Sequence, residues 1–301
     1  MFAGSSVAVV TPMHPDGAID FSAWLGLLDF HFQGGTTAVI VGGTTGESAT
    51  ITENELRELV IAAVKFSRER GASDRAAGRM AIIAGAGTSS TASTLERVRW
   101  LGELGVDGVL VVTPAYVKPT QEGLFRHHEA IAAVAKVPVV LYNVPGRTAV
   151  DMLPATVARL AALPRIVAIK EAVAGAARVR EILALAPQFT VLSGDDATAR
   201  AAILAGAQGV ISVTANLAPA AMSAMVAAAR ASDLARSAEI DAKLARLHED
   251  LFVEGNPIPV KWALHTKGMI DTGIRLPLTP LSERFYGRVA GAMEQAGLGP
   301  A

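Results

Sequence analysis

The chain has 301 residues, of which 51% are hydrophobic and 18% charged, with a formal net charge of -1 and no cysteine. This composition excludes disorder and suffices for one large core, while the near-zero charge leaves no electrostatic footprint for nucleic acid or an anionic membrane. Without thiols there are no disulfides, no thiolate nucleophile and no cysteine-held metal, so small molecules and further copies of the chain are the expected partners. The opening "MFAGSSVAVVTPMHPDG" has no basic leader and too short an apolar stretch for a membrane span, which makes the expected location cytoplasmic.

The first predicted strand is "SSVAVVTP" (5–12) and the second "TTAVIVGG" (36–43). The stretch "TENELRELVIAAVKFSRER" then opens a helix, with Thr52 at the N-cap and Glu55 three residues on as a capping box. "GASDRAAGRM" (71–80) reads as a polar, solvated connection to the third strand, "MAIIAGAG" (80–87). "LERVRWLGELG" is a helix closing on Gly105. "GVLVVTP" (108–114), "VPVVLYN" (137–143), "IVAIKEA" (166–172), "FTVLSGDD" (189–196) and "GVISVTAN" (209–216) bring the predicted strands to eight. Each is apolar on both alternations, as in a parallel sheet buried on both faces. Eight strand and helix units in alternation predict a (β/α)8 barrel, with an open doubly wound sheet as the alternative. From about residue 218 the chain is alanine-rich and helical, more than one remaining barrel helix requires. The expected organisation is a barrel over 1–230 and a small C-terminal helical domain over 231–301.

In such a barrel the chemistry belongs where strands end, because side chains from different strands converge there on one mouth. The predicted strand ends supply one lysine, Lys170, with Tyr142, Tyr116, Arg147 and the hydroxyl pair Thr44 and Thr45. A partly desolvated lysine has its ammonium form disfavoured, and the free amine can attack a carbonyl carbon to form a Schiff base that acts as an electron sink. That chemistry needs no metal and no organic cofactor. Alternatively, Lys170 pairs with a carboxylate such as Glu171 or Asp195. The phenol of Tyr142 and the hydroxyl of Thr44 favour the first reading, since imine and carbanion chemistry both need a proton relay beside the amine.

The remaining candidates are weighed the same way. "GGTTGES" lacks the lysine and the spacing of a phosphate loop and is better read as a tight turn. Arg147, at a mouth, suits a fork for a carboxylate. The aspartates of "SGDD" read as an N-cap for the following helix, and His127 and His128 are helical neighbours pointing about 100° apart, which is no chelate.

The segments "GTTGES", "TPAY", "YNVPGRT", "IKEA", "SGDD" and "GVISVTAN", in this order and spacing, resemble the dihydrodipicolinate synthases (4-hydroxy-tetrahydrodipicolinate synthases) of the N-acetylneuraminate lyase superfamily. The resemblance covers nearly the whole chain, including "LFVEGNPIPVKWAL". It implies a (β/α)8 barrel with a C-terminal helical domain, assembled as a tetramer of two tight dimers. The implied enzyme is a lyase that condenses pyruvate with aspartate 4-semialdehyde on the way to diaminopimelate and lysine. By motif, Lys170 would form the imine with pyruvate and Tyr142 would be the adjacent acid and base. Thr44 would link Tyr142 to Tyr116, which reaches into the site of a neighbouring subunit. Thr45 would hold the pyruvate carboxylate, Arg147 the carboxylate of the semialdehyde, and the backbone of Gly194 and Ile211 would shape the pocket. A lyase or dehydratase of the same superfamily acting on a sialic or keto-sugar acid, and a non-catalytic barrel binding a keto acid, are the alternatives. Arg147 suits a short acidic aldehyde better than a polyhydroxylated chain.

The sequence departs from the lysine-inhibited members at the interface cleft where they bind two lysine molecules. Ser48 and Ala49 are retained, but Glu53 and Leu56 stand where histidines are expected, Ser89 and Ser93 replace an asparagine and a glutamate, and Ala115 replaces a tyrosine. Weak or absent feedback inhibition by lysine is the expectation.

Overall fold

The computed structural model describes residues 2–73 and 78–299. Its first half alternates β1 (Gly4–Ala8), α1 (Phe21–Gln33), β2 (Ala38–Val41), α2 (Glu53–Ser73), β3 (Ala81–Gly85), α3 (Thr91–Glu103), β4 (Gly108–Val112), α4 (Gln121–Val134) and β5 (Val139–Asn143). A one-turn helix, α5 (Pro145–Thr148), and α6 (Pro154–Ala161) then lead to β6 (Ile166–Glu171), α7 (Ala176–Leu185), β7 (Thr190–Ser193), α8 (Ala199–Leu204) and β8 (Gly209–Ser212). The strands are all parallel and close in sequence order, β8 returning to pair with β1. This is the expected (β/α)8 barrel, not the open sheet. Four further α-helices follow among the described residues, α9 (Pro219–Arg230), α10 (Leu234–Asp250), α11 (Ile258–Thr266) and α12 (Tyr286–Gln295). Among the described residues no helix is long and apolar enough to cross a membrane.

The strand alternation divides the core in two. Residues such as Ile40, Ile83, Leu110, Val140, Leu192 and Ile211 fill the barrel interior. Their neighbours, including Val39, Ile82, Val109, Leu141, Ile169 and Val210, face the helix ring and merge there into one larger cluster. On β6 this parity puts Ala168 inside and Ile169 outside, so Lys170 points inward and Glu171 outward. The β5–β6 register sets Tyr142 opposite Lys170 and Asn143 opposite Glu171.

The capping box forms as expected. Thr52 N donates to Glu55 Oε2 at 2.7 Å and Glu55 N donates to Thr52 Oγ1 at 3.2 Å. Gly105 follows the last turn of α3 in the left-handed region, at φ 81°. Two readings need correction. The connection expected over 71–80 begins later, because Gly71, Ala72 and Ser73 extend α2, while residues 74–77 lie outside the described residues. The "SGDD" aspartates are not the N-cap of α8, a place taken by Thr198. Asp195 instead accepts from the amide and hydroxyl of Thr198, and buried Asp196 accepts from the amides of Val213 and Thr214. Two adjacent side chains point different ways, so one braces the turn before the helix and the other ties β7 to the end of β8.

Candidate active site

Lys170 is 5% exposed, and its Nζ lies 4.4 Å from the centre of the Tyr142 ring. Neither carboxylate considered as its partner is available. Glu171 sits on the opposite face of the strand, where both its oxygens accept from Asn143 Nδ2 at 3.0 and 3.1 Å and one accepts from Val173 N. Burial there pushes the Glu171 carboxyl up to about 7. Asp195 is engaged by Thr198. Among the described residues no acidic group forms an ion pair with Lys170. Gly194, just past the end of β7, packs on its stem: a Cβ at that position would lie 3.0 Å from Lys170 Cε and 3.1 Å from Cγ. Any larger residue would push the amine.

The segment after β2 closes one side of the same mouth. Gly42 turns the chain at φ 63°, and a Cβ there would collide with Leu56. Successive turns follow, with Gly46 N donating to Gly43 O at 3.0 Å and Glu47 N to Thr44 O at 3.1 Å. Thr44 and Tyr142 thereby line one narrow cavity of about 30 Å3. Thr45 is buried and accepts a hydrogen bond at 2.9 Å from Asn256 Nδ2, and the Asn256 carbonyl accepts from Arg147 at 3.2 Å. Arg147, on the one-turn helix α5, is otherwise exposed at the rim. Ile211 is buried in the barrel interior.

Tyr116 stands apart. It is 92% exposed, on a turn with φ 73° at Tyr116 and 45° at Lys118. Among the described residues no hydrogen bond joins the hydroxyls of Thr44, Tyr142 and Tyr116. The structure thus brings Lys170, Tyr142, Thr44, Thr45, Arg147, Gly194 and Ile211 to one end of the barrel, and leaves Tyr116 projecting from it. His127 and His128 form an edge-to-face pair with ring centres 4.9 Å apart, each Nδ1 engaged elsewhere, by Thr91 Oγ1 and the Leu124 carbonyl.

The Dihydrodipicolinate synthetase family pattern matches residues 1–296. The chain belongs to this family. A curated 4-hydroxy-tetrahydrodipicolinate synthase of Dechloromonas aromatica is 50% identical over 299 residues, 99% of each chain. A chloride-inhibited dihydrodipicolinate synthase of Acinetobacter baumannii, solved in complex with pyruvate, superposes with a TM-score of 0.94 at 45% identity, covering 99% of this chain and all of that one. A structure described as a monomeric dihydrodipicolinate synthase variant superposes at 0.93 and 41% identity, covering 99% of this chain and 97% of that one. Fold, family and enzyme class accordingly agree with the expectations from sequence.

Sequence reasoning missed the groups that reach the mouth from behind. Asn256, Lys261 and Arg275 all come from beyond the barrel and all bond the segment after β2 or its neighbours. Asn143 and Glu171 were also missed as a connected pair. The signal available was polarity in apolar surroundings, as in the lysine of "PIPVKWAL".

Proposed function

We propose that the chain condenses pyruvate with L-aspartate 4-semialdehyde to give 4-hydroxy-tetrahydrodipicolinate, a step of diaminopimelate and lysine biosynthesis. One observation carries this reading: the strand-end lysine is buried, has no carboxylate partner among the described residues and faces a tyrosine directly across the sheet. An amine so placed is a nucleophile rather than half of an ion pair. The full-length relatives bearing the synthase name support the choice of substrates.

Lys170 Nζ attacks C2 of pyruvate, and the carbinolamine loses water as Tyr142 returns a proton to the departing hydroxyl, leaving the imine. Removal of a C3 proton gives the enamine, whose carbon attacks the aldehyde carbon, and the resulting alkoxide is protonated. The amino group of the added chain then attacks C2, closes the ring and displaces the Lys170 amine. One water is released overall. In this reading Thr45 and its amide hold the pyruvate carboxylate, Arg147 binds that of the semialdehyde, Gly194 and Ile211 shape the wall, and Thr44 joins Tyr142 to Tyr116 of a neighbouring subunit. The exposed, outward position of Tyr116 supports an assembly of at least a dimer, read here as a tetramer of tight dimers. Residues 231–301 are read as a C-terminal helical domain built onto a barrel of 1–230. A cysteine-free chain needs no oxidising compartment, which supports a cytoplasmic location.

The test is chemical. Borohydride added with pyruvate should fix a stable adduct on Lys170, detected by peptide mass, and a coupled assay should show turnover only when aspartate semialdehyde is added. An unmodified Lys170 would refute the imine, and turnover of a sugar acid instead would refute the second substrate.

A further inference from the structure

Glu47 is unusual in two respects: it is a non-glycine residue in the left-handed region, at φ 57°, and its carboxylate is wholly buried. Its backbone carries the turns on both sides, because its amide donates to the Thr44 carbonyl at 3.1 Å and its carbonyl accepts from the amides of Thr50 and Ile51. One carboxylate oxygen is bonded by Lys261 Nζ from α11, and the other accepts from the amide of Arg275 at 3.2 Å. The Arg275 guanidinium continues the clamp, donating to the carbonyls of Thr50 and Gly17 and to Glu55. Residues more than 200 positions away thus hold the segment that bears Thr44 and Thr45.

Such a pair is a poor device for stability. Burial pushes the Lys261 ammonium below its ordinary range even beside Glu47, and replacing a buried ion pair by apolar groups of similar volume is often neutral or stabilising. What a bonded pair adds is direction, since both ends are fixed at defined points. The barrel itself is already closed by its own strand pairing. The remaining effect of the pair is on the place of the turn between Thr44 and Glu47.

We propose that Glu47 and Lys261 are a positioning pair, by which the C-terminal helices set the Thr44–Thr45 turn for the carboxylate of the keto acid. The proposal rests on the pyruvate reading above. It predicts a binding defect rather than loss of the chemical step, because neither residue touches the reacting atoms.

The experiment compares pyruvate-dependent borohydride labelling of Lys170 in the unaltered chain and in the double variant Glu47→Gln, Lys261→Met, which removes both charges and strands neither. The half-maximal pyruvate concentration should rise about tenfold in the double variant, the scale of roughly one hydrogen bond lost to the keto acid's carboxylate, while labelling at saturation stays complete. Glu47→Asp, which keeps the charge but shortens the reach, should shift the same midpoint in the same direction while its thermal melt shows it folded at the assay temperature, and it decides the matter if the double variant does not fold. An unshifted midpoint in a folded variant overturns the positioning role alone. Absence of labelling in the unaltered chain overturns the pyruvate reading and this inference with it.

Discussion

Glu171 follows Lys170 directly but points to the other face, because one step along a strand turns the side chain through the sheet. There it joins Asn143, Asp151 and Arg178, with Asn143 Nδ2 donating to both acids and Arg178 donating to Asp151 at 2.7 Å. The network lies behind the strand ends that present Tyr142 and Lys170, and it fixes them against each other. Its weak point is charge. Burial raises the Glu171 carboxyl from 4.5 to about 7, so its contribution to stability is fully present below the unfolded value and is lost as pH rises through the folded one. A glutamine here cannot ionise. Relative to the unaltered chain, Glu171→Gln should therefore gain about 2 kcal/mol on going from near pH 5 to near pH 8, any constant offset from altered hydrogen bonds cancelling in the comparison. Denaturant melts at the two pH values measure this, and parallel pH dependence of the two proteins would refute it.

At the scale of elements, α2 is where local sequence and distant structure meet. Its capping box was legible because Thr52 and Glu55 are three residues apart, and the structure forms both reciprocal bonds. The same Glu55 also receives Arg275, which lowers its carboxyl to about 2, chiefly through that side-chain hydrogen bond. A lowered carboxyl contributes stability above its unfolded value of 4.5 and loses it as pH falls through about 2. Since Glu55 is partly exposed, solvent screening leaves Glu55→Gln a loss of about 1 kcal/mol at neutral pH. That gap should narrow in melts near pH 3, and a gap independent of pH would contradict it. The contrast between the two contacts explains what could be read in advance. The eight strands were legible because strands buried on both faces are continuous apolar runs, and their ends named Lys170, Tyr142 and Thr44 because a barrel gathers those ends. Arg275, Lys261 and Asn256 left no such mark, since their partners lie over 200 residues away and no periodicity encodes a return of that length. "SGDD" failed for a related reason, as Asp196 is committed to the amides after β8 instead of its own helix.

The whole molecule raises the question of what one chain lacks. Its proposed relay stops at Thr44, while Tyr116 stands exposed on a strained turn, so a neighbouring copy must supply the phenol if the relay is to be complete. Tyr116→Phe should lower kcat by roughly a hundredfold, within the range for a positioned acid or base, and leave borohydride labelling of Lys170 intact; full activity in a species shown by sedimentation to be monomeric would contradict the borrowed tyrosine. The same expected interface bears on regulation. By the resemblance, that interface is where lysine-inhibited members are expected to hold the inhibitor, whose ammonium would need a carboxylate and whose carboxylate would need donors, because a charge buried without a partner costs several kcal/mol. Among the residues that depart from the lysine-site pattern Glu53 is the acidic one, and Arg97 already holds it, through Nε at 2.9 Å and a second guanidinium nitrogen. Leu56 is buried against Gly42 and has no donor, and Ser89 spends its hydroxyl on the carbonyl of Ala115 at 2.9 Å. A lysine zwitterion entering this cleft would have to compete with Arg97 for Glu53 and would find no tyrosine at residue 115. Submillimolar L-lysine should accordingly leave condensation unchanged at saturating pyruvate. Clear inhibition in that range would refute the expectation of weak or absent feedback.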